Sequence, residues 1–237
     1  MTEDDAGALE AGVLYVVATP IGNMEDVTLR ALSVLRQCDA LAAEDTRRTR
    51  QLLTRHEIPR PRTLLSLHEH NEEHSAGRIV DLLDARARVA LCSDAGTPLV
   101  SDPGYRTLKL VAERGFRVEP VPGPSAALAA LAVSALPPSS FTFKGFPPRK
   151  PGPRKRFLEA DAEQPHTLIL FESPHRLAKL LRDASEVLGD REACVCIDLT
   201  KRFEATHRGV LSALADEFDG ATVRGEVTVV IAGATRR

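Results

Sequence analysis

Short apolar runs alternating with amphipathic segments predict an α/β protein. Three observations carry that expectation. The runs at 14–18, 40–43, 89–92, 167–171, 193–199 and 227–231 have the length and residue types of buried strands. Between them, Ala76, Ile79, Val80 and Leu83 recur at i, i+3, i+4 and i+7, and so do Leu177, Leu180, Leu181 and Ala184, which is the period of a helix with one buried face. The composition, 43% hydrophobic and 27% charged over 237 residues, is that of a globular chain with room for two small domains.

Taken in order, residues 1–12 carry Glu3, Asp4, Asp5 and Glu10 with no base, which predicts a flexible acidic tail and opposes a signal peptide. The run at 126–136 is rich in small residues and broken by Ser134. It falls well short of the roughly 20 residues a membrane span needs. It predicts a helix that ends at Pro137-Pro138, and the lobe boundary is placed there, giving an N-terminal lobe at 13–136 and a C-terminal lobe at 137–237. The segment 144–156, KGFPPRKPGPRKR, has six bases, four prolines and no acid. Proline removes helix and ladder options, so this segment is expected to be an exposed loop. The runs at 193–199 and 203–208 are expected to pair as antiparallel neighbours.

Several function classes drop out. A net charge of −2 and the absence of Trp, with eight Phe and two Tyr, oppose a protein that coats nucleic acid along its length. Four Cys are too few for a disulfide scaffold, and Cys194 and Cys196 point to one face of a strand, where buried core thiols are the expected reading. That usage, without a targeting segment, predicts a cytoplasmic protein. No G-x-G pair, G-K-[ST] loop, G-x-S-x-G elbow or H-E-x-x-H helix occurs.

Four segments stand out, each just after a predicted strand, where α/β proteins place ligand loops. They are Thr19-Pro20-Ile21-Gly22-Asn23; Ala43-Glu44-Asp45-Thr46-Arg47; Ser93-Asp94-Ala95-Gly96-Thr97-Pro98 continuing to Ser101-Asp102-Pro103-Gly104; and Pro122-Gly123-Pro124-Ser125-Ala126. Any one of them alone reads more readily as a turn before a helix cap. Four together at strand ends favour a ligand site.

These segments, with Phe171-Glu172-Ser173-Pro174-His175-Arg176, resemble the ribosomal RNA small-subunit methyltransferase I family of the tetrapyrrole-methylase superfamily, in order along nearly the whole chain. The resemblance implies two α/β lobes of the tetrapyrrole-methylase type with the cofactor cleft between them, usually in a homodimer. It implies S-adenosylmethionine (SAM) as methyl donor and the ribose 2′-hydroxyl of a cytidine in the decoding region of 16S rRNA as acceptor, with the small ribosomal subunit as partner. It assigns SAM contact to Pro20, Asp94, Ala95, Gly96, Thr97, Val100, Ser125, Ala126 and Glu172. Where the family reads Arg-Glu-Leu-Thr-Lys, this chain reads Ile197-Asp198-Leu199-Thr200-Lys201.

A ribose hydroxyl is a weak acid, so its methylation calls for a base or for a cation beside the alkoxide. Glu44, Asp45 and Lys201 are the candidate catalytic residues, with Glu204 beside them; capping and ion pairing with Arg47 and Arg48 is the competing reading for the first two. His68-Glu69-His70-Asn71-Glu72 is read as a loop or helix start, and no metal is expected. Residues 46–62 hold six Arg and one Glu, and 144–156 add six bases, within a chain of net −2. Such asymmetry suits phosphate contact, and Arg47, Arg48, Arg50, Arg149, Lys150, Arg154, Lys155 and Arg156 are the candidate RNA-binding residues. Two alternatives stay open: a corrin or porphyrin-precursor C-methylase, and a non-catalytic ribosome-binding factor of the same fold.

Overall fold

The computed structural model describes residues 7–235, and the chain divides into two compact units, Met1–Ser125 and Ala126–Arg237. Of the tail expected at 1–12, residues 1–6 lie outside the described residues. From Leu9 onward the expectation of a flexible tail is corrected. The Leu9 N–H donates to Gln37 Oε1 at 3.2 Å, the Glu10 N–H donates to the Tyr15 hydroxyl at 2.8 Å, and the Leu9 side chain packs on the core.

The first unit runs β1 (Val13–Val17), α1 (Leu29–Gln37), β2 (Ala40–Ala43), α2 (Thr46–Arg55), β3 (Thr63–Ser66), α3 (Glu72–Asp84), β4 (Val89–Cys92), α4 (Tyr105–Glu113) and β5 (Arg117–Val121). Its five strands are all parallel, in the order β3-β2-β4-β1-β5. Successive side chains of β1 go to opposite layers. Val13, Tyr15 and Val17 join Leu35 of α1 and Leu52 of α2, whereas Leu14 joins Ile79 of α3 and Val111 of α4. A parallel strand covered on both faces has no polar side, which is why the inner strands read as unbroken apolar runs. Neighbouring strands β1 and β4 send their following helices to opposite faces, so their C-terminal ends form the switch point at which such sheets leave a crevice.

The second unit runs α5 (Ala126–Val133), β6 (Phe141–Phe143), α6 (Pro151–Glu159), β7 (Thr167–Glu172), α7 (Leu177–Leu188), β8 (Glu192–Ile197), β9 (Ala205–Val210), α8 (Leu211–Glu217) and β10 (Val227–Ile231). The sheet order is β6-β7-β10-β8-β9, with β6 parallel to β7 and every other pair antiparallel. Leu168, Leu170, Val195 and Val229 meet Leu177, Leu180, Leu181 and Ala184 of α7 in one core. The expected β8–β9 pairing is present, and Cys194 and Cys196 are buried and unbridged, 3.7 Å apart at sulfur. Among the described residues no helix is long and apolar enough to cross a membrane.

Two expectations need correction. The division falls after Ser125 rather than near 137, because α5 packs on β7 and β10 of the second sheet. The segment 144–156 is not all loop, since α6 begins inside it. Pro151 and Pro153 occupy the first turn, where backbone N–H groups have no helical partner in any case, so the prolines start the helix instead of breaking it. The first helical bond follows at once, from the Arg154 N–H to the Lys150 carbonyl at 3.0 Å.

Candidate functional site

At the switch point the loops after β1 and β4 bind each other. The Thr19 N–H donates to the Gly96 carbonyl and the Gly96 N–H donates back to the Thr19 carbonyl, both at 2.9 Å. The Thr19 hydroxyl donates to the Ser93 carbonyl at 3.2 Å, and the Thr97 hydroxyl donates to the Pro124 carbonyl at 3.3 Å, which ties in the loop after β5. Pro20, Gly96, Thr97 and Ser125, predicted from motifs far apart in sequence, are thereby drawn to one end of one sheet. Gly96 has φ +78°, a region L side chains avoid, and a Cβ there would sit 3.3 Å from Ile21 Cγ2. Leu99 and Ser101 are also left-handed, at φ 74° and 68°, so backbone strain is concentrated in the loop that carries Val100.

The loop after β2 carries the carboxylates. Asp94 Oδ1 accepts the Asp45 N–H at 2.8 Å, and Asp94 Oδ2 lies 3.5 Å from Arg48 Nε. Asp45 is fully engaged: it caps α2 by accepting the Arg47 N–H at 2.8 Å, and both its oxygens accept from the Arg47 guanidinium. The Arg47 hydrogen bonds hold its carboxyl down at about 2. Glu44 differs. Burial first, then the charge of Asp94, raise its carboxyl above the ordinary range, so it is the better proton acceptor of the two. Asp102, which lies in the third candidate loop but was not among the predicted site residues, belongs to the same cluster. Its carboxyl is pushed up to about 6 by burial, by Glu44 and by Asp94, against a hydrogen bond from Ser93.

A pH dependence follows. A carboxyl raised in the fold favours the protonated state, so its stabilising contribution is present below 3.8 and is lost as pH rises through about 6. Asp102→Asn should therefore remove part of the stability decline across that window, read as urea midpoints of variant and parent at matched pH. Parallel curves for the two proteins would show that Asp102 does not titrate this way.

The HEHNE segment builds structure. Asn71 Oδ1 accepts the His68 N–H at 2.8 Å, and buried Glu72 accepts the N–H groups of Arg106 and Thr107, at 2.7 and 3.2 Å, at the start of α4. No group of three or more His, Cys, Asp or Glu among the described residues is arranged to hold a metal.

In the second unit, Glu172 ends β7 and is 2% exposed. Its Oε1 accepts from the Ser173 N–H and from Arg176 Nε, both at 2.6 Å, while its buried Oε2 has no hydrogen-bond partner. An orphaned buried acceptor of this kind suits a ligand N–H or O–H. Lys201 lies 2.9 Å from Asp198 Oδ1 and 3.2 Å from Glu226 Oε2. The departure from the family pattern thus leaves Lys201 a carboxylate partner. Gly225 makes room for it, because a Cβ there would come within 2.2 Å of the Asp198 carboxylate. Glu204 is used locally, accepting the Thr200 N–H.

The basic candidates separate into two kinds. Arg47, Arg48, Arg50, Arg149, Lys150 and Arg156 are exposed. Arg154 is 3% exposed and bonds Asp183 of α7 through Nε at 2.6 Å, and Lys155 pairs with Glu186 at 2.5 Å. The expectation that Arg154 reaches phosphate is corrected by its burial and pairing, which follow from α6 being a helix packed on α7, whereas Lys155 stays partly exposed in a surface pair.

A doubly covered parallel sheet with strand-end loops locked at the switch point, followed by a mixed sheet, is the architecture of the tetrapyrrole methylases. The family described as Tetrapyrrole (Corrin/Porphyrin) Methylases matches residues 13–215. Curated relatives named ribosomal RNA small subunit methyltransferase I include that of Mesorhizobium japonicum, 50% identical over 98% of this chain and 79% of its own length. That of Thermotoga maritima is 44% identical over 94% of this chain and 99% of its own length. Among solved structures, cobalt precorrin-4 methyltransferase aligns with a TM-score of 0.71 at 20% identity, covering 95% of this chain and 98% of its own. The uroporphyrin-III C-methyl transferase of Thermus thermophilus, complexed with S-adenyl homocysteine, aligns with a TM-score of 0.65 at 20% identity over 92% and 96% of the two chains. The chain belongs to the tetrapyrrole methylase family and, within it, to the ribosomal RNA small subunit methyltransferase I group.

Proposed function

We propose that this protein methylates the ribose 2′-hydroxyl of a cytidine in the decoding region of 16S rRNA, with SAM as donor and the small ribosomal subunit as partner. The observation that carries the reading is 50% identity over 98% of the chain to a relative bearing the rRNA methyltransferase name. The corrin and porphyrin enzymes are alike at the level of fold, at about 20% identity.

When bound, SAM supplies an electrophilic methyl group. Pro20, Asp94, Ala95, Gly96, Thr97, Val100 and Ser125 would hold it through loops already locked to one another, which lowers the ordering cost of binding. On the second unit, the family resemblance adds Ala126, at the start of α5, and Glu172, whose orphaned oxygen suits a ligand N–H or O–H. Glu44 would take the 2′-hydroxyl proton at its carboxylate, and Lys201 would stabilise the developing alkoxide. Exposed Arg47, Arg48 and Arg50 would contact phosphates.

The direct test maps rRNA nucleosides by mass with and without the protein. A 2′-O-methylcytidine in the decoding region should appear with it and vanish without it; an unchanged map would overturn the reading. Gly96→Val should abolish measurable SAM binding by calorimetry in a protein that remains folded by circular dichroism. Parental affinity in that variant would move the donor away from the β1–β4 loops.

A further inference from the structure

Three strands of the second unit end at one edge. β6 is parallel to β7, and β8 is antiparallel to β10, which is itself antiparallel to β7, so β6, β7 and β8 share a direction. The segments that leave their C-terminal ends, 144–150, 173–176 and 198–204, emerge together. Two of them hold a large aromatic side chain in solvent, Phe146 at 57% and Phe203 at 76% exposure. Each stands among cations. Arg149 and Lys150 follow Phe146 and are exposed, while Lys201 and Arg202 precede Phe203, the Arg202 guanidinium lying 5.4 Å from the ring centroid.

The Phe146 ring is backed by another ring, and Phe203 follows a hydrogen-bonded turn. Phe146 leans on Phe171 at 5.5 Å, and the Phe171 N–H ties down the Gly145 carbonyl at 2.9 Å. The turn under Phe203 holds Asp198 and Thr200 in left-handed conformations and is closed by the Lys201 N–H to the Asp198 carbonyl at 2.9 Å. A rigid turn that keeps a phenyl ring in water is a poor design for solubility and a good one for receiving a flat partner.

We propose that Phe146 and Phe203 are stacking platforms for two unpaired bases of the substrate RNA, with Arg149, Lys150 and Arg202 on the phosphates between them. The proposal rests on the rRNA reading above and adds how the strand is gripped. Aromatic faces interleaved with cations are the chemistry of single-stranded RNA binding, whereas protein–protein interfaces are depleted of Lys, which stands beside both rings here. Three strand spacings separate β6 from β8, roughly 14 Å. Stacked neighbours rise only about 3.4 Å, so the rings serve bases separated by intervening nucleotides of an opened strand.

The test uses the full chain and single-stranded oligoribonucleotides of the decoding-region sequence with 2-aminopurine placed at successive positions. Parental protein should quench the fluorophore at two separated positions. Phe146→Ala and Phe203→Ala should each abolish one of the two signals and weaken binding about 5- to 150-fold, as expected for one stacked base. Neither should change the salt slope, because no charge is lost. Arg149→Ala should instead lower that slope by about 0.7. Phe203→Tyr should restore binding and Phe203→Leu should not, since stacking needs a π-face. Leu29→Ala, removing an exposed apolar side chain of the other unit, should be silent. If the Phe203→Leu protein binds as the parent does, or if the alanine variants keep RNA affinity and change only the sedimentation of the protein, the platforms are apolar protein contacts and the proposal fails while the rRNA reading stands. If the parent binds no RNA and methylates no subunits, the rRNA reading fails and takes the proposal with it.

Discussion

Glu44→Gln should lower methyl transfer about 10²-fold or more with SAM affinity unchanged, the loss expected when a general base is removed. Asp45→Ala should not. The two residues are adjacent, but Asp45 spends both oxygens on Arg47 and the α2 cap, whereas Glu44 is half-buried beside Asp94 with its carboxyl raised. Removing the Asp45 cap should cost stability instead of turnover. Parental turnover should climb as pH rises through the raised Glu44 titration, and the Gln variant should lose that climb. Lys201→Ala should resemble Glu44→Gln in size without its pH signature. Equal, near-parental rates for Glu44→Gln and Lys201→Ala would leave positioning as the whole mechanism.

Arg154→Ala should destabilise the protein by about 3–5 kcal/mol, the cost of stranding a buried charge. Asp183 would lose its guanidinium partner, and the Arg149 carbonyl would lose the 3.1 Å bond from Arg154 Nη1. Lys155→Ala should leave the midpoint nearly unchanged, because its partner Glu186 is exposed and the pair is screened by solvent. Urea denaturation separates the two outcomes. An Arg154→Ala midpoint equal to the parent's would mean that the pair contributes nothing to the fold, and would return Arg154 to the pool of phosphate ligands.

How much of this was legible in the sequence depended on where each element lies. The strands at 40–43, 89–92 and 227–231 matched residue for residue, because inner strands have no polar face to blur the run. Edge strands β3, β5 and β6 were not seen. β5 carries Arg117 and Glu119 and resembles a loop until β1 pairs with it. The start of α6 was hidden by prolines, which break a helix interior and are harmless in its first turn. The strand-end loops that meet at the Thr19–Gly96 clasp stood out by their glycines and prolines, whereas their assignment to a methyl donor came from the family resemblance. The Glu44–Asp94–Asp102 coupling and the fit of Gly225 against Asp198 were not visible. Both depend on distances through space between residues remote in the chain.

The order of strands in the first sheet also sets a timetable. β1 lies between β4 and β5, with Leu14 opposite Val89 and Val13 opposite Arg117. The first strand to leave the ribosome therefore waits for most of the unit to be made before either neighbour exists, its apolar side chains meanwhile without a home. Pairings so distant along the chain fold slowly and leave a window for aggregation. The Thr19–Gly96 clasp closes only when β4 has docked, so a nascent chain halted before residue 89 has neither the clasp nor a partner for β1. The clasp at the strand ends of this unit is therefore assembled late, as a consequence of strand order alone.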